Sequence, residues 1–99
     1  MTITKTREGT ALTVALEGRM DAVSAPELEE ALKADMETIT DLTFDLEKLQ
    51  YTSSAGLRVL LSAQKAMNKR GNMVIKNVCP DIMEIFDMVG FTDLLNIEE

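Results

Sequence analysis

The chain reads as an α/β fold, a mixed sheet of four or five strands with helices between them, in the order β-β-α-β-α-β-α-β. Three observations predict it. Apolar and polar residues alternate in several short runs, the period of a strand with one buried face. Between those runs the apolar spacing lengthens to three and four, the period of a helix packed on one side. Start and stop residues bracket the helical runs, so the elements are short and separate.

The elements follow in order. In "MTITKTREGTALTVALEG", Thr2, Thr4 and Thr6 flank Ile3, and Leu12, Val14 and Leu16 alternate with Thr13, Ala15 and Glu17. With Gly9 between the two runs, this predicts a β-hairpin. "SAPELEEALKADM" opens a helix. Ser24 and Glu27 have the capping-box spacing, Pro26 sits in the first turn, and acidic residues crowd the positive end of the dipole. Leu28, Ala31, Leu32 and Met36 share one face. "DLTFDL" alternates again, with Leu42, Phe44 and Leu46 on one side and Thr43 and Asp45 on the other.

Over residues 54–70 the period is helical. Arg58, Ser62, Lys65 and Lys69 form a polar stripe, Leu57, Val59, Leu60, Ala63, Ala66 and Met67 fill the rest, and Gly71 is the stop. "NMVIKNV" predicts a strand. "PDIMEIFDMVG" predicts a third helix between Pro80 and Gly90, with Ile82, Ile85, Phe86 and Val89 inward. "FTDLLNI" is a last short strand or turn. No repeat or linker interrupts the chain, so residues 1–99 read as one domain.

Strands joined through a helix run parallel with a right-handed crossover. That makes the strands near residues 12–17, 42–46 and 73–76 parallel and puts the first strand antiparallel at an edge. The loops leaving their carboxyl ends, residues 18–24, 47–54 and 77–80, then converge on one edge of the sheet, where open α/β folds place their sites. Asp21 and the three hydroxyls Thr52, Ser53 and Ser54 are expected to be neighbours there.

Composition narrows the function. A hydrophobic content of 45% with 27% charged residues excludes a disordered chain. The formal charge of −7 argues against nucleic acid as a partner, because that affinity rests on Lys and Arg at phosphates. The one local basic cluster, Lys65, Lys69 and Arg70, reads as a solvated helix face. Four aromatic residues against seven methionines point to methionine as core filler. No apolar run reaches the length of a membrane span, and the N-terminus does not read as a signal peptide. Cys79 is the single cysteine, which suits a reducing cytosol. With no histidine, Ser-His and Cys-His nucleophile pairs and histidine metal sites are excluded, and no cofactor is implied.

Three positions could carry chemistry. Ser54 stands at a helix N-terminus, where free N–H groups and the dipole welcome a phosphate, although spacing alone favours plain capping. Asp45 near a strand end has the placement of an aspartyl-phosphate site, but lacks the further carboxylates that hold Mg²⁺. Asp21 reads as a helix-entry turn residue, or as a polar group beside a modifiable serine. No constellation for catalysis is present.

"ALEGRMDAVSAPELEEAL", "LTFDLEKLQYTSSAGLRVLL" and "VGFTDLLNI" together resemble the STAS domains, and among them the free-standing anti-sigma factor antagonists. The middle segment carries most of the resemblance, with its F-D-L strand, hydroxyl-rich loop, Ala-Gly-Leu and apolar helix. It implies a cytoplasmic, non-enzymatic phosphoprotein that acts by partner switching in transcription regulation. An anti-sigma factor that is also a serine kinase would phosphorylate it and release it, and a metal-dependent phosphatase would reset it. Carried over on Gly56 and Leu57, the acceptor falls on Ser54, with Ser53 the less favoured hydroxyl. Ser53 stands where the family often has Asp, Ala55 where it often has a second serine, and Arg58 where it often has glycine. Asp21 matches the acidic residue of the preceding loop. Asp21, Ser53, Ser54, Gly56 and Arg58 are therefore the expected partner-binding residues. The alternative is a STAS scaffold or subunit that binds a partner protein or small ligand without being phosphorylated.

Overall fold

The alternating N-terminal residues form the expected hairpin. β1 (Thr2–Glu8) and β2 (Ala11–Met20) pair antiparallel, with Ile3 opposite Leu16 and Arg7 opposite Leu12. Gly9 turns the chain at φ 61°, a conformation glycine adopts without strain. The computed structural model describes residues 1–98. The hairpin is followed by α1 (Ala25–Lys33), β3 (Asp41–Thr52), α2 (Ser54–Met67), β4 (Asn72–Lys76) and α3 (Pro80–Met88), then a 3-10 turn at Phe91–Asp93 and a short β5 (Ile97–Glu98).

The five strands lie in the sheet in chain order, β1-β2-β3-β4-β5. Only the first pair is antiparallel; β2–β3, β3–β4 and β4–β5 are parallel. Each crossover steps the same way along the sheet, and right-handed crossovers then lay every helix over one face. The burial pattern agrees. Leu12, Val14 and Leu16, Leu42, Phe44 and Leu46, and Met73 and Ile75 are all buried, while the alternate residues Thr13, Asp45 and Lys76 are exposed or half-buried. Leu28 and Leu32 of α1, Leu60 and Met67 of α2, and Ile82 and Phe86 of α3 complete the core. Each such side chain contributes about 1.5–3 kcal/mol by leaving water.

Three expectations are corrected here. Residues 47–54 are not a loop: β3 runs on to Thr52. Its pairing with β2 slips twice, because Ala15 faces Asp45 but Glu17 faces Lys48, and Gly18 faces Leu49 but Arg19 faces Tyr51. Each slip puts one extra residue on β3, so the buried positions change spacing from two to three, through Leu46, Leu49 and Thr52. That spacing hides the strand from an alternation test. Likewise β2 continues to Met20, through part of the expected 18–24 loop. Finally, α3 ends at Met88, and Val89 is 48% exposed rather than inward, because the chain turns at Gly90 with φ 77°. The expected last strand or turn is both, a 3-10 turn and then β5.

The exposed edge strand β1 is tied to the end of α1 by charge. Asp35 takes Lys5 Nζ on Oδ2 and Arg7 Nη1 on Oδ1, both at 2.9 Å. Lys5 also donates to the carbonyl of Ala31, and Arg7 to that of Thr38. The Lys5 hydrogen bond above all holds the Asp35 carboxyl below its ordinary value; burial opposes it, and the Arg7 hydrogen bond adds to the lowering. A carboxyl depressed in the folded state stabilises fully above its unfolded value, and the contribution fades as pH falls through the folded one. Asp35→Asn is therefore expected to be about 1 kcal/mol less stable than the parent near neutrality. The gap should close on acidification below the ordinary aspartate range. Urea midpoints at several pH values check this; a gap constant with pH would contradict it.

Candidate functional site

The strand extensions bring the two helix entries together. Met20 and Thr52 are register partners at the ends of β2 and β3, and Ser53 N–H donates to the Met20 carbonyl at 2.8 Å. Asp21 follows Met20 and Ser53 follows Thr52, so the expected neighbourhood is formed. The three hydroxyls then do three different things. Thr52 is buried and donates to the carbonyl of Ser53 at 3.2 Å. Ser53 is the N-cap of α2, with extended backbone (φ −91°, ψ 174°) and Oγ accepting from Gly56 N–H at 3.4 Å. Ser54, the first helical residue, is exposed, and among the described residues its hydroxyl has no hydrogen bond. The first turn of α2 contains no acidic residue. Ser53→Ala removes the cap and is expected to lower stability by about 1 kcal/mol. Denaturant midpoints for parent and variant check this, and equal midpoints would show that the long Ser53 bond is not a working cap.

Gly56 is buried beneath this turn. A Cβ there would lie 2.5 Å from Thr52 Oγ1 and 2.7 Å from Met20 Cε. The absent side chain lets α2 settle onto the strand ends, which fixes where Ser53 and Ser54 sit. Any role of Gly56 toward a partner runs through that placement.

The entry to α1 differs from the predicted capping box. Ser24 has helical backbone (φ −84°, ψ −24°) and makes no side-chain cap bond. Its buried hydroxyl instead accepts from Asp21 N–H at 2.9 Å and is within hydrogen-bond distance of Arg19 O and Asp21 Oδ1, both at 3.1 Å. Asp21 does the capping: Oδ1 accepts from Val23 N–H at 3.0 Å and from Ser24 N–H at 2.9 Å. The Ser24 backbone bond first, then those of Val23 and the Ser24 hydroxyl, lower its pKa. Asp21 thus stands beside the Ser53 turn as a held anion.

Arg58 is exposed one turn beyond Ser54, and among the described residues it forms no ion pair. It borders a groove of about 250 Å³ between α1 and α2, together with Ala22, Pro26, Glu29, Ala55 and Ser62. Two neighbours escaped the sequence reading. Arg19 lies over the Tyr51 ring at 4.3 Å on the sheet face opposite the helices. Both alternate with buried residues, Met20 and Thr52, and recognition of β3 as a strand to Thr52 would have found them. Asp45 is remote: it pairs with Ala15, five residues and about 16 Å down β2 from Met20. Its Oδ1 accepts from Glu47 N–H and Asn77 Nδ2, both at 3.1 Å. No cluster suited to a metal ion occurs among the described residues. Among the described residues no helix is long and apolar enough to cross a membrane.

Comparison with known proteins bears on the family and the fold. The family model for the STAS domain matches residues 2–99. The anti-sigma-B factor antagonist of Bacillus subtilis is 32% identical over 85 residues, covering 85% of this chain and 78% of the relative. The Bacillus cell fate determinant SpoIIAA in its phosphorylated form has the same fold, with a TM-score of 0.79 at 14% identity, covering 99% of this chain and 92% of the other. The unphosphorylated SpoIIAA, described as an anti-sigma factor antagonist, superposes with a TM-score of 0.80 at 13% identity, covering 99% and 88%. Matched over nearly its whole length, the chain belongs to the STAS-domain family and is a relative of the anti-sigma factor antagonists.

Proposed function

We propose that the protein is an anti-sigma factor antagonist, a non-enzymatic switch that binds a serine-kinase anti-sigma factor through the edge bearing Asp21, Ser53, Ser54 and Arg58. The kinase transfers the γ-phosphoryl of ATP to Ser54 Oγ, the hydroxyl proton leaves and ADP is released. The phosphorylated antagonist then dissociates, and a metal-dependent phosphatase hydrolyses the ester to reset it. The observation that carries this reading is the state of Ser54: an exposed hydroxyl without a hydrogen bond, at the first position of a helix whose first turn has no acid. Free N–H groups and the positive dipole end are ready for an anion there. Ser53 is the poorer acceptor, since it is half-buried and its oxygen already caps α2.

The test is phosphopeptide mapping after incubation with ATP and the anti-sigma factor captured from the host. Acid-stable phosphate is expected on Ser54 and absent from Ser54→Ala. A protein that captures the partner but takes up no phosphate would instead be a STAS scaffold. The residue favouring that second reading is Ser53, which replaces the aspartate often found before the acceptor in resembling proteins.

A further inference from the structure

We infer that Arg58 is a built-in phosphate clamp: once Ser54 carries phosphate, the Arg58 guanidinium folds back one turn and pairs with it. The inference rests on Ser54 being the acceptor. Residues four apart on a helix face each other, with Cβ atoms about 5–6 Å apart. Both residues belong to α2 and both are exposed. A guanidinium offers paired N–H donors that match two phosphate oxygens.

The neighbouring charges favour the pairing. Arg58 is free of ion pairs among the described residues, so no existing bond must break. On α1, Glu29 borders the same groove and competes for Arg58 with a single negative charge, against up to two on the phosphate. In the loop before α1, the Asp21 carboxylate accepts from its own turn. On β2, Arg19 rests on Tyr51. Lys65, near the far end of α2, and Lys69, beyond its last residue, lie well away from Ser54 along the chain.

The clamp changes what phosphorylation does. It alters two groups on the docking edge at once: the neutral hydroxyl of Ser54 becomes an anion, and the free cation of Arg58 is drawn onto it. Arg58 is therefore a positioning residue for the modified state.

The experiment uses the full chain with phosphoserine installed at position 54 during synthesis, and follows its ³¹P resonance against pH. The second ionisation is expected about half a pH unit lower in the parent than in Arg58→Gln. Arg58→Lys should restore part of that difference, and Lys69→Gln should titrate like the parent. Equal titrations of the parent and Arg58→Gln would overturn the clamp. Equal displacement by Arg58→Gln and Lys69→Gln would also overturn it, since the effect would then be bulk charge. No kinase or partner enters the measurement, so its failure leaves the partner-switch reading standing, and failure of that reading leaves this result intact.

Discussion

Gly71→Ala is expected to destabilise the fold by about 3 kcal/mol, a fall in Tm of roughly 15 °C for a domain of this size. The reason is contact, not backbone freedom. A Cβ at Gly71 would land on the carbonyl oxygen of Thr40, with the carbonyl carbon only 2.8 Å away. Neither side has room to yield. The Thr40 carbonyl accepts from Asn72 N–H at 2.9 Å, and the Thr40 N–H donates to the Thr10 carbonyl at 2.8 Å. Gly71 N–H is itself bonded to the Met67 carbonyl at the end of α2. Relief would break the start of β4 or the segment leading into β3. Thermal and urea denaturation of the two proteins check the prediction, and a loss of only a few degrees would show that the turn after α2 relaxes freely. Gly71 is remote in the chain from the Ser54 turn, so the folded fraction of the variant should keep the parent's partner affinity.

Phosphorylation of Ser54 is expected to lower partner affinity by more than tenfold while leaving the fold intact. Ester formation adds about −1.5 to −2 charge at neutral pH. The fold tolerates it because the charge sits at the N-terminal end of α2 without an acid in the first turn. A partner that docks against a neutral hydroxyl must now strip water from a dianion, and from the guanidinium drawn onto it. A charge left badly paired at an interface costs about 2–5 kcal/mol. Ser54→Asp should reproduce only part of the loss, because a carboxylate carries less charge and fewer acceptor oxygens. Ser54→Ala should bind without regulation. Titration of the captured anti-sigma factor with each form measures this, with circular dichroism as the check on folding. Equal affinity of modified and unmodified protein would remove the switch and leave the scaffold.

The strands and helices were legible where one rule acted alone. β1, the first half of β2 and the first half of β3 alternate cleanly, and their burial follows. The start of α3 follows from Pro80. Legibility ended where a tertiary contact overrode a local signal. Ser24 and Glu27 have capping-box spacing, but Asp21 begins the turn three residues earlier and takes the free N–H groups first. Glu47 to Tyr51 looks like a loop because the slips against β2 stretch the buried period to three. Gly71 reads as a helix stop, yet what demands glycine is the backbone of Thr40, thirty-one positions away in sequence. At the candidate site, the place of Ser54 at the start of α2 was legible from the sequence, whereas the division of labour among Thr52, Ser53 and Ser54 required the strand end beneath them.

The identity of strand order and chain order bears on how the molecule is made. Each strand pairs with the one synthesised just before it. A chain emerging from the ribosome can therefore extend its sheet at the growing edge without waiting for a distant segment or inserting a late strand between two earlier ones. Each parallel partner lies about thirty residues back, as Leu12 does from Leu42 and Leu42 from Met73, so every addition waits only for the helix between the two strands. The edge carrying Asp21 and Ser54 depends on β2, β3 and α2, all complete by Met67. About two-thirds of the way through synthesis the nascent chain has every residue of the edge bearing Asp21 and Ser54, while β4, α3 and β5 are still to come. Their arrival covers the remaining apolar surface of β3 and α2, so a truncated product would display the Asp21 and Ser54 edge on a body still prone to stick to itself.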